Sequence, residues 1–341
     1  MSQLPKPARL DDGLSSGFPR VLELPSLASL YIQPLTPMGT VENGRAATGF
    51  IVRNTRGMPY LVTNRHVVTG RNSLDGDKSS GAAISALRVF LPRADRLGEW
   101  LPVVLELWDA SEDPDDPVRR PSWLEHPDLG WKVDVVAIPL SGPSFERDLD
   151  LMAYTVSGAA LPRLAVASEL HVIGFPLGFD PFKAQVPLGV WTRGTIAWHP
   201  SLDWQGLPAT LIDCRARPGQ SGSPVVFSAA PFTRFVTSAG VIQEADTWTY
   251  DLVGIYSGRI VDGSDVGVVW KRSAIDAVVE QGVQPDGPTV SPFDEAVNIE
   301  DLLTARTDMA AGGSAWSSWP HPPAGGGGPD RGASARPASA T

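Results

Sequence analysis

The sequence predicts an all-β fold, a barrel or sandwich assembled from two groups of short strands. Three observations carry this. Short runs rich in Val, Ile, Leu and aromatic residues alternate with Gly, Pro, Asn and Asp along most of the chain. Glycine (34) and proline (32) are both abundant among the 341 residues, which favours turns over long helices. Helical signals are confined to one place midway and one near the end, so they divide the strands into two series.

The first series is predicted over 29–33, 48–53, 60–63, 87–91, 101–108 and 134–140. A connecting helix over 144–153 follows, with Ser144 as N-cap and acidic residues early in it. The second series is predicted over 169–173, 189–197, 210–213, 223–227, 238–243, 252–256 and 267–270. A short terminal helix over 273–281 stops at Gly282. This divides the chain into an irregular extension (1–25), a first β unit (26–143), a second with the terminal helix (144–284) and a tail (285–341). The tail is rich in Gly, Ala, Ser and Pro and cannot bury enough apolar surface to offset its ordering entropy, so disorder is expected. Trp316 and Trp319 make it a candidate contact for a protein partner. The acidic, proline-broken stretch 109–120 reads as a solvated loop.

Bulk composition narrows the function. A hydrophobic content of 42% with 19% charged residues fits a globular protein with a sizeable core. The net charge of −10 argues against sequence-independent nucleic-acid binding, which needs a basic face to displace counterions. Cys214 is the single cysteine, so no internal disulfide forms and a reducing compartment is favoured. The first thirty residues, broken by Pro5, Pro7, Pro19 and Pro25, hold no signal-peptide core, and no run approaches the ~18 apolar residues of a membrane span. A cytoplasmic location without membrane contact is therefore expected. His126, His171, His199 and His321 show no paired metal-ligand spacing, so neither a metal nor a cofactor is expected.

Three segments carry the chemistry. T-G-F-I-V-R (48–53) and Y-L-V-T-N-R-H-V-V (60–68) place His66 on the turn after a strand. W-K-V-D-V-V-A-I-P-L (131–140) opens an apolar strand with Asp134. R-P-G-Q-S-G-S-P-V-V (217–226) brackets Ser221 with Gly219 and Gly222. A serine hydroxyl is a poor nucleophile near neutral pH and needs a base. Histidine suits that role, and a carboxylate on its other ring nitrogen fixes the tautomer. The backbone N–H groups of Gly219 and Ser221 are the candidate oxyanion donors. Asp128 and Ser223 compete with Asp134 and Ser221, but Asp128 sits in a turn and Ser223 lacks the bracketing glycines.

In this order the segments resemble the trypsin-like (chymotrypsin-fold) serine peptidases. Within that family they resemble the disulfide-free bacterial branch that includes the high-temperature-requirement proteases. T-N-R-H-V-V, D-V-V-A-I and P-G-Q-S-G-S-P-V are similar to the family's histidine, aspartate and nucleophile segments. G-F-P-L-G (174–178) and V-W-T-R-G-T-I (190–196) are further echoes, and L-V-G-I-Y-S-G (252–258) resembles the strand lining the primary specificity pocket. The resemblance spans roughly residues 40–275. It implies two packed six-stranded antiparallel β-barrels with a short C-terminal helix. It also implies endopeptidase activity on protein or peptide substrates through His66, Asp134 and Ser221, with Ser257 and Gly258 pairing the substrate backbone. Arg215, six residues before Ser221, falls where relatives place the pocket base, and an arginine there would favour a carboxylate-bearing substrate residue. The sequence departs from the digestive enzymes at Gln220, which replaces an aspartate that pairs with a newly cut N-terminus. Activity without proteolytic maturation is therefore expected. Two other functions fit the same motifs: a peptide-binding or chaperone-like pseudo-enzyme, and a protease effector activated by a partner.

Overall fold

The computed structural model describes residues 22–285 except 42–44, 73–77, 80–82, 94–98, 110–119, 143–150, 157–161, 180, 184–186 and 262. Expectations for 1–21, for most of the acidic stretch and for the tail with Trp316 and Trp319 lie outside the described residues.

A one-turn helix α1 (Leu24–Ala28) leads into the first sheet. Its strands are β1 (Ser29–Leu35), β2 (Ala47–Arg53), β3 (Pro59–Thr63), β4 (Ala86–Pro92), β5 (Trp100–Glu106), β6 (Val136–Pro139) and β7 (Ala153–Thr155). The hydrogen-bonded order is β6-β3-β2-β1-β4-β5, antiparallel throughout. β2 divides its outer edge: Ala47–Phe50 face β1, and Ile51–Arg53 pair parallel with β7. Between β5 and β6, Trp108–Asp109 pairs antiparallel with Arg120–Pro121. Ser122 donates to Leu107 O, and Leu124 exchanges bonds with Ala137.

The second group is a closed barrel. Its strands are β8 (Glu169–Gly174), β9 (Val190–Ile196), β10 (Ala209–Cys214), β11 (Pro224–Ala229), β12 (Thr249–Arg259) and β13 (Val266–Lys271). They close in the order β8-β9-β10-β13-β12-β11. Helix α3 (Arg272–Gln281) follows β13 directly. The expected double-barrel architecture with its C-terminal helix is what the topology shows.

The near-continuous apolar runs follow from strand geometry, because side chains alternate between two faces and both faces are buried. On β2, Ile51 enters the first barrel's interior, while Phe50 and Val52 face the interface with the second. β3 sorts Leu61 and Val62 in the same way, and β6 sorts Ile138 and Ala137. Val172 and Ile212 fill the second barrel. Ile173, Val226 and Trp270 point outward to meet Phe50, Val62 and Val135, and Ile275 and Val278 of α3 complete that shared core. Each such fully buried side chain contributes roughly 1.5–3 kcal/mol.

Two local expectations differ from the structure. Of the helix expected over 144–153, residues 144–150 lie outside the described residues; Leu151 and Met152 are not helical and Ala153 begins β7, where Tyr154 is buried and packs edge-on against Phe50. Of the strand expected over 238–243, only Ile242 and Gln243 are strand; 238–241 form a turn, with Gly240 at φ +79°, between the paired strands Arg234–Val236 and Ile242–Glu244. Gly240 sits among strand-forming neighbours, so the run reads as continuous in one dimension.

Candidate active site

His66 lies in α2 (Arg65–Thr69), a single turn closed by Gly70 in the left-handed conformation. The turn leaves β3 at Asn64, whose amide donates to Asp134 O at 2.7 Å. That bond ties the start of α2 to the chain entering β6. Asp134 is 1% exposed and is bonded on both oxygens. Oδ1 accepts from His66 N–H at 2.9 Å, and Oδ2 lies 2.7 Å from His66 Nδ1. Oδ2 also accepts from the Ser257 hydroxyl. An acceptor-only carboxylate so placed makes Nδ1 the protonated nitrogen and leaves Nε2 as the acceptor.

Ser221 comes from the loop between β10 and β11. Gly219 and Gly222 on either side have φ of +91° and +85°, which side chains disfavour. Space excludes them as well. A Cβ at Gly222 would stand 1.9 Å from Thr48 O, and one at Gly219 would stand 2.4 Å from Phe175 O. The loop's carbonyls are engaged, with Ser221 O accepting from Thr48 N–H and Gly219 O from the Thr48 hydroxyl. Among the described residues, the N–H groups of Gly219 and Ser221 donate to no protein group. Two such neighbouring donors suit an incoming oxyanion.

The Ser221 hydroxyl donates to Ser257 O at 3.0 Å and makes no hydrogen bond to His66. Ser257 is the bulged residue of β12, where the register against β13 shifts between Tyr256 and Gly258. A bulge frees and re-aims one peptide unit. Here it sends the Ser257 carbonyl to Ser221 and its side chain to Asp134. β11 pairs with β12 only as far as Ile255, so Ser257–Gly258 lies past the end of that ladder. The sequence-predicted His66, Asp134, Ser221, Gly219, Ser257 and Gly258 thus come together. Arg215 is exposed near Arg193, Asp213 and Asp265, on a shallow depression beside β9.

Three further polar residues hold the site. Thr48 links both barrels: its hydroxyl donates to Gly219 O at 3.0 Å and accepts from Phe175 N–H at 3.1 Å. Gln220 is fully buried, accepting from Arg217 N–H and donating to Thr192 Oγ1, each at 2.8 Å. The loop is thereby braced from within the chain at the position where the digestive enzymes carry aspartate. Arg65, beside His66, pairs at 2.8 Å with Glu125, and both side chains are buried. All three lie inside the quoted segments, but the partners that give them these roles are distant in sequence. Thr48→Val is expected to cost about 1–3 kcal/mol, since it orphans the buried Phe175 N–H, and urea unfolding would measure it.

Cys214 lies inside the second barrel, 2% exposed, and burial pushes its thiol pKa up to about 11. The native protein is expected to resist iodoacetamide at pH 8 and to yield one reactive thiol on denaturation. Rapid native alkylation would contradict the buried placement.

Residues 47–230 match the family described as trypsin-like peptidase domain. No curated protein matches the chain. Among solved structures, the inactive form of the Rv3671c protease is 17% identical over 75% of this chain and 88% of that one, with a TM-score of 0.36. The active form of that protease, from M. tuberculosis, is 16% identical over 77% and 85%, with a TM-score of 0.37. Deg5 is 16% identical over 73% and 86%, also with a TM-score of 0.37. Among the described residues, no helix is long and apolar enough to cross a membrane.

Proposed function

The chain belongs to the trypsin-like peptidase family, and we propose on that basis that it is a serine endopeptidase acting through Ser221, His66 and Asp134. The observation that carries this reading is the buried Asp134 carboxylate holding His66 by both its backbone N–H and its Nδ1. That arrangement leaves Nε2 as the ring nitrogen able to act as a base.

The reaction begins with the substrate strand pairing along Ser257–Gly258. A substrate N–H then competes for the Ser257 carbonyl, which the Ser221 hydroxyl occupies in the free protein. The displaced hydroxyl turns to His66 Nε2. As Ser221 Oγ bonds to the scissile carbonyl carbon, its proton moves to Nε2, and the carbonyl oxygen takes up charge against the Gly219 and Ser221 N–H groups. Collapse breaks the C–N bond, and Nε2–H protonates the departing amine. Water, deprotonated by Nε2, then hydrolyses the acyl-enzyme and regenerates Ser221.

The test is covalent labelling of the intact protein with a fluorophosphonate, followed by peptide mapping, alongside casein digestion. A single adduct on Ser221 with casein cleavage is expected. An adduct elsewhere, or none together with intact casein, would remove the reading in favour of a peptide binder.

A further inference from the structure

The segment packed against the nucleophile loop at Gly219 is apolar, and it is fixed to the loop. Gly219 lies against 175–177, and Leu177 N–H donates to Pro218 O at 2.6 Å. Thr48 Oγ1 bonds both Gly219 O and Phe175 N–H, so segment and donor move as one unit. The Leu177 side chain is 61% exposed, and that of Phe182 is 49% exposed. Phe182 stands on Phe90 and Tyr31, with ring centroids 4.8 and 5.9 Å away. Tyr31 in turn meets buried Phe175 edge-on at 5.2 Å. Four rings therefore run from beside the oxyanion donor out to solvent. Single exposed apolar side chains need no explanation, but these form one supported shelf at the site.

We propose that this shelf binds the leaving-group side of the substrate and selects an aromatic or branched apolar residue within two positions after the cleaved bond. The inference rests on the peptidase reading. The acyl side of the substrate pairs along Ser257–Gly258, and its carbonyl oxygen points at the Gly219 and Ser221 N–H groups. The chain beyond the scissile bond then leaves away from Ser257, past Gly219 and over Leu177. Phe182 and Leu177 flank an apolar side chain there and remove it from water, whereas a carboxylate on the same shelf loses hydration without gaining a partner.

Internally quenched peptides with one fixed acyl side, carrying Phe, Leu, Ala or Asp at the first and second leaving-group positions, test this. Cleavage sites are mapped by mass spectrometry. Wild type is expected to favour Phe or Leu over Asp by about tenfold in kcat/KM, the scale of one apolar side chain in a pocket. Leu177→Ser and Phe182→Ser should each reduce that preference to within about threefold. The preference is a ratio measured within one protein, so a partly unfolded variant does not distort it. Equal cleavage of all peptides by wild type, or an unchanged ratio in both variants, would overturn the subsite while leaving the peptidase intact. A change in oligomeric state without a change in ratio would overturn it too, reassigning the shelf to a self-contact. No cleavage of any peptide together with no fluorophosphonate adduct would remove the peptidase reading, and the subsite with it.

Discussion

Ser221→Ala is expected to lower kcat on the order of 10⁶-fold while leaving the protein folded. In the proposed mechanism the hydroxyl is the atom that bonds to the substrate, and alanine offers nothing in its place. The same hydroxyl contributes little to the fold, since it makes one hydrogen bond, to Ser257 O. Losing it should change stability by only about 0.5–1.5 kcal/mol. The loop's shape is set by Gly219, Gly222, Thr48 and Gln220, none of which the substitution touches. Steady-state hydrolysis of a peptide substrate, with urea unfolding of the same preparation, checks both parts. Retention of more than about a hundredth of wild-type kcat would exclude Ser221 as the nucleophile.

Asp134→Asn is expected to cost about 10⁴-fold in kcat/KM. The carboxylate accepts from His66 N–H on one oxygen and faces His66 Nδ1 and the Ser257 hydroxyl with the other. An amide cannot do this. With its NH₂ towards Nδ1, histidine must accept there and carry its proton on Nε2, where it can no longer take one from Ser221. With its NH₂ towards the His66 backbone, two donors collide in a site that is 1% exposed. The first arrangement costs activity and the second costs stability; where the first is populated, fluorophosphonate labelling should slow along with hydrolysis. Activity within tenfold of wild type would require another group to orient His66.

Much of this was legible because the chemistry sits at strand ends. His66 follows β3, Asp134 precedes β6, and Ser221 lies between two glycines before β11, each a short motif in one dimension. Short apolar runs bounded by turn residues are equally one-dimensional, which is why β2, β3 and β6 are legible as strands. The missed features depend on partners distant in sequence. Nothing near Thr48 announces that its hydroxyl meets Gly219, 171 residues on. Thr192 likewise gives no local sign that it braces Gln220. The strand at Ala153 was hidden for the same reason, because its pairing partner is β2. Arg215 could be placed on the nucleophile loop from sequence, but its exposure beside Arg193 and Asp265 depends on the closure of the second barrel.

The segment after α3 has a consequence for biosynthesis. Val283 exchanges backbone bonds with Glu125, and Glu125 grips Arg65 next to His66. The histidine's neighbourhood therefore receives one of its last supports from residues near the end of the described chain. Ribosomes deliver sequence from the N-terminus, so a nascent first barrel emerges long before Val283 does. Until then Glu125 lacks the two backbone hydrogen bonds that Val283 provides. On the proposed peptidase reading, the half of the site that holds His66 receives these backbone bonds only after the nucleophile loop has also been synthesised, which leaves a partly made chain poorly equipped to cut its neighbours on the same message.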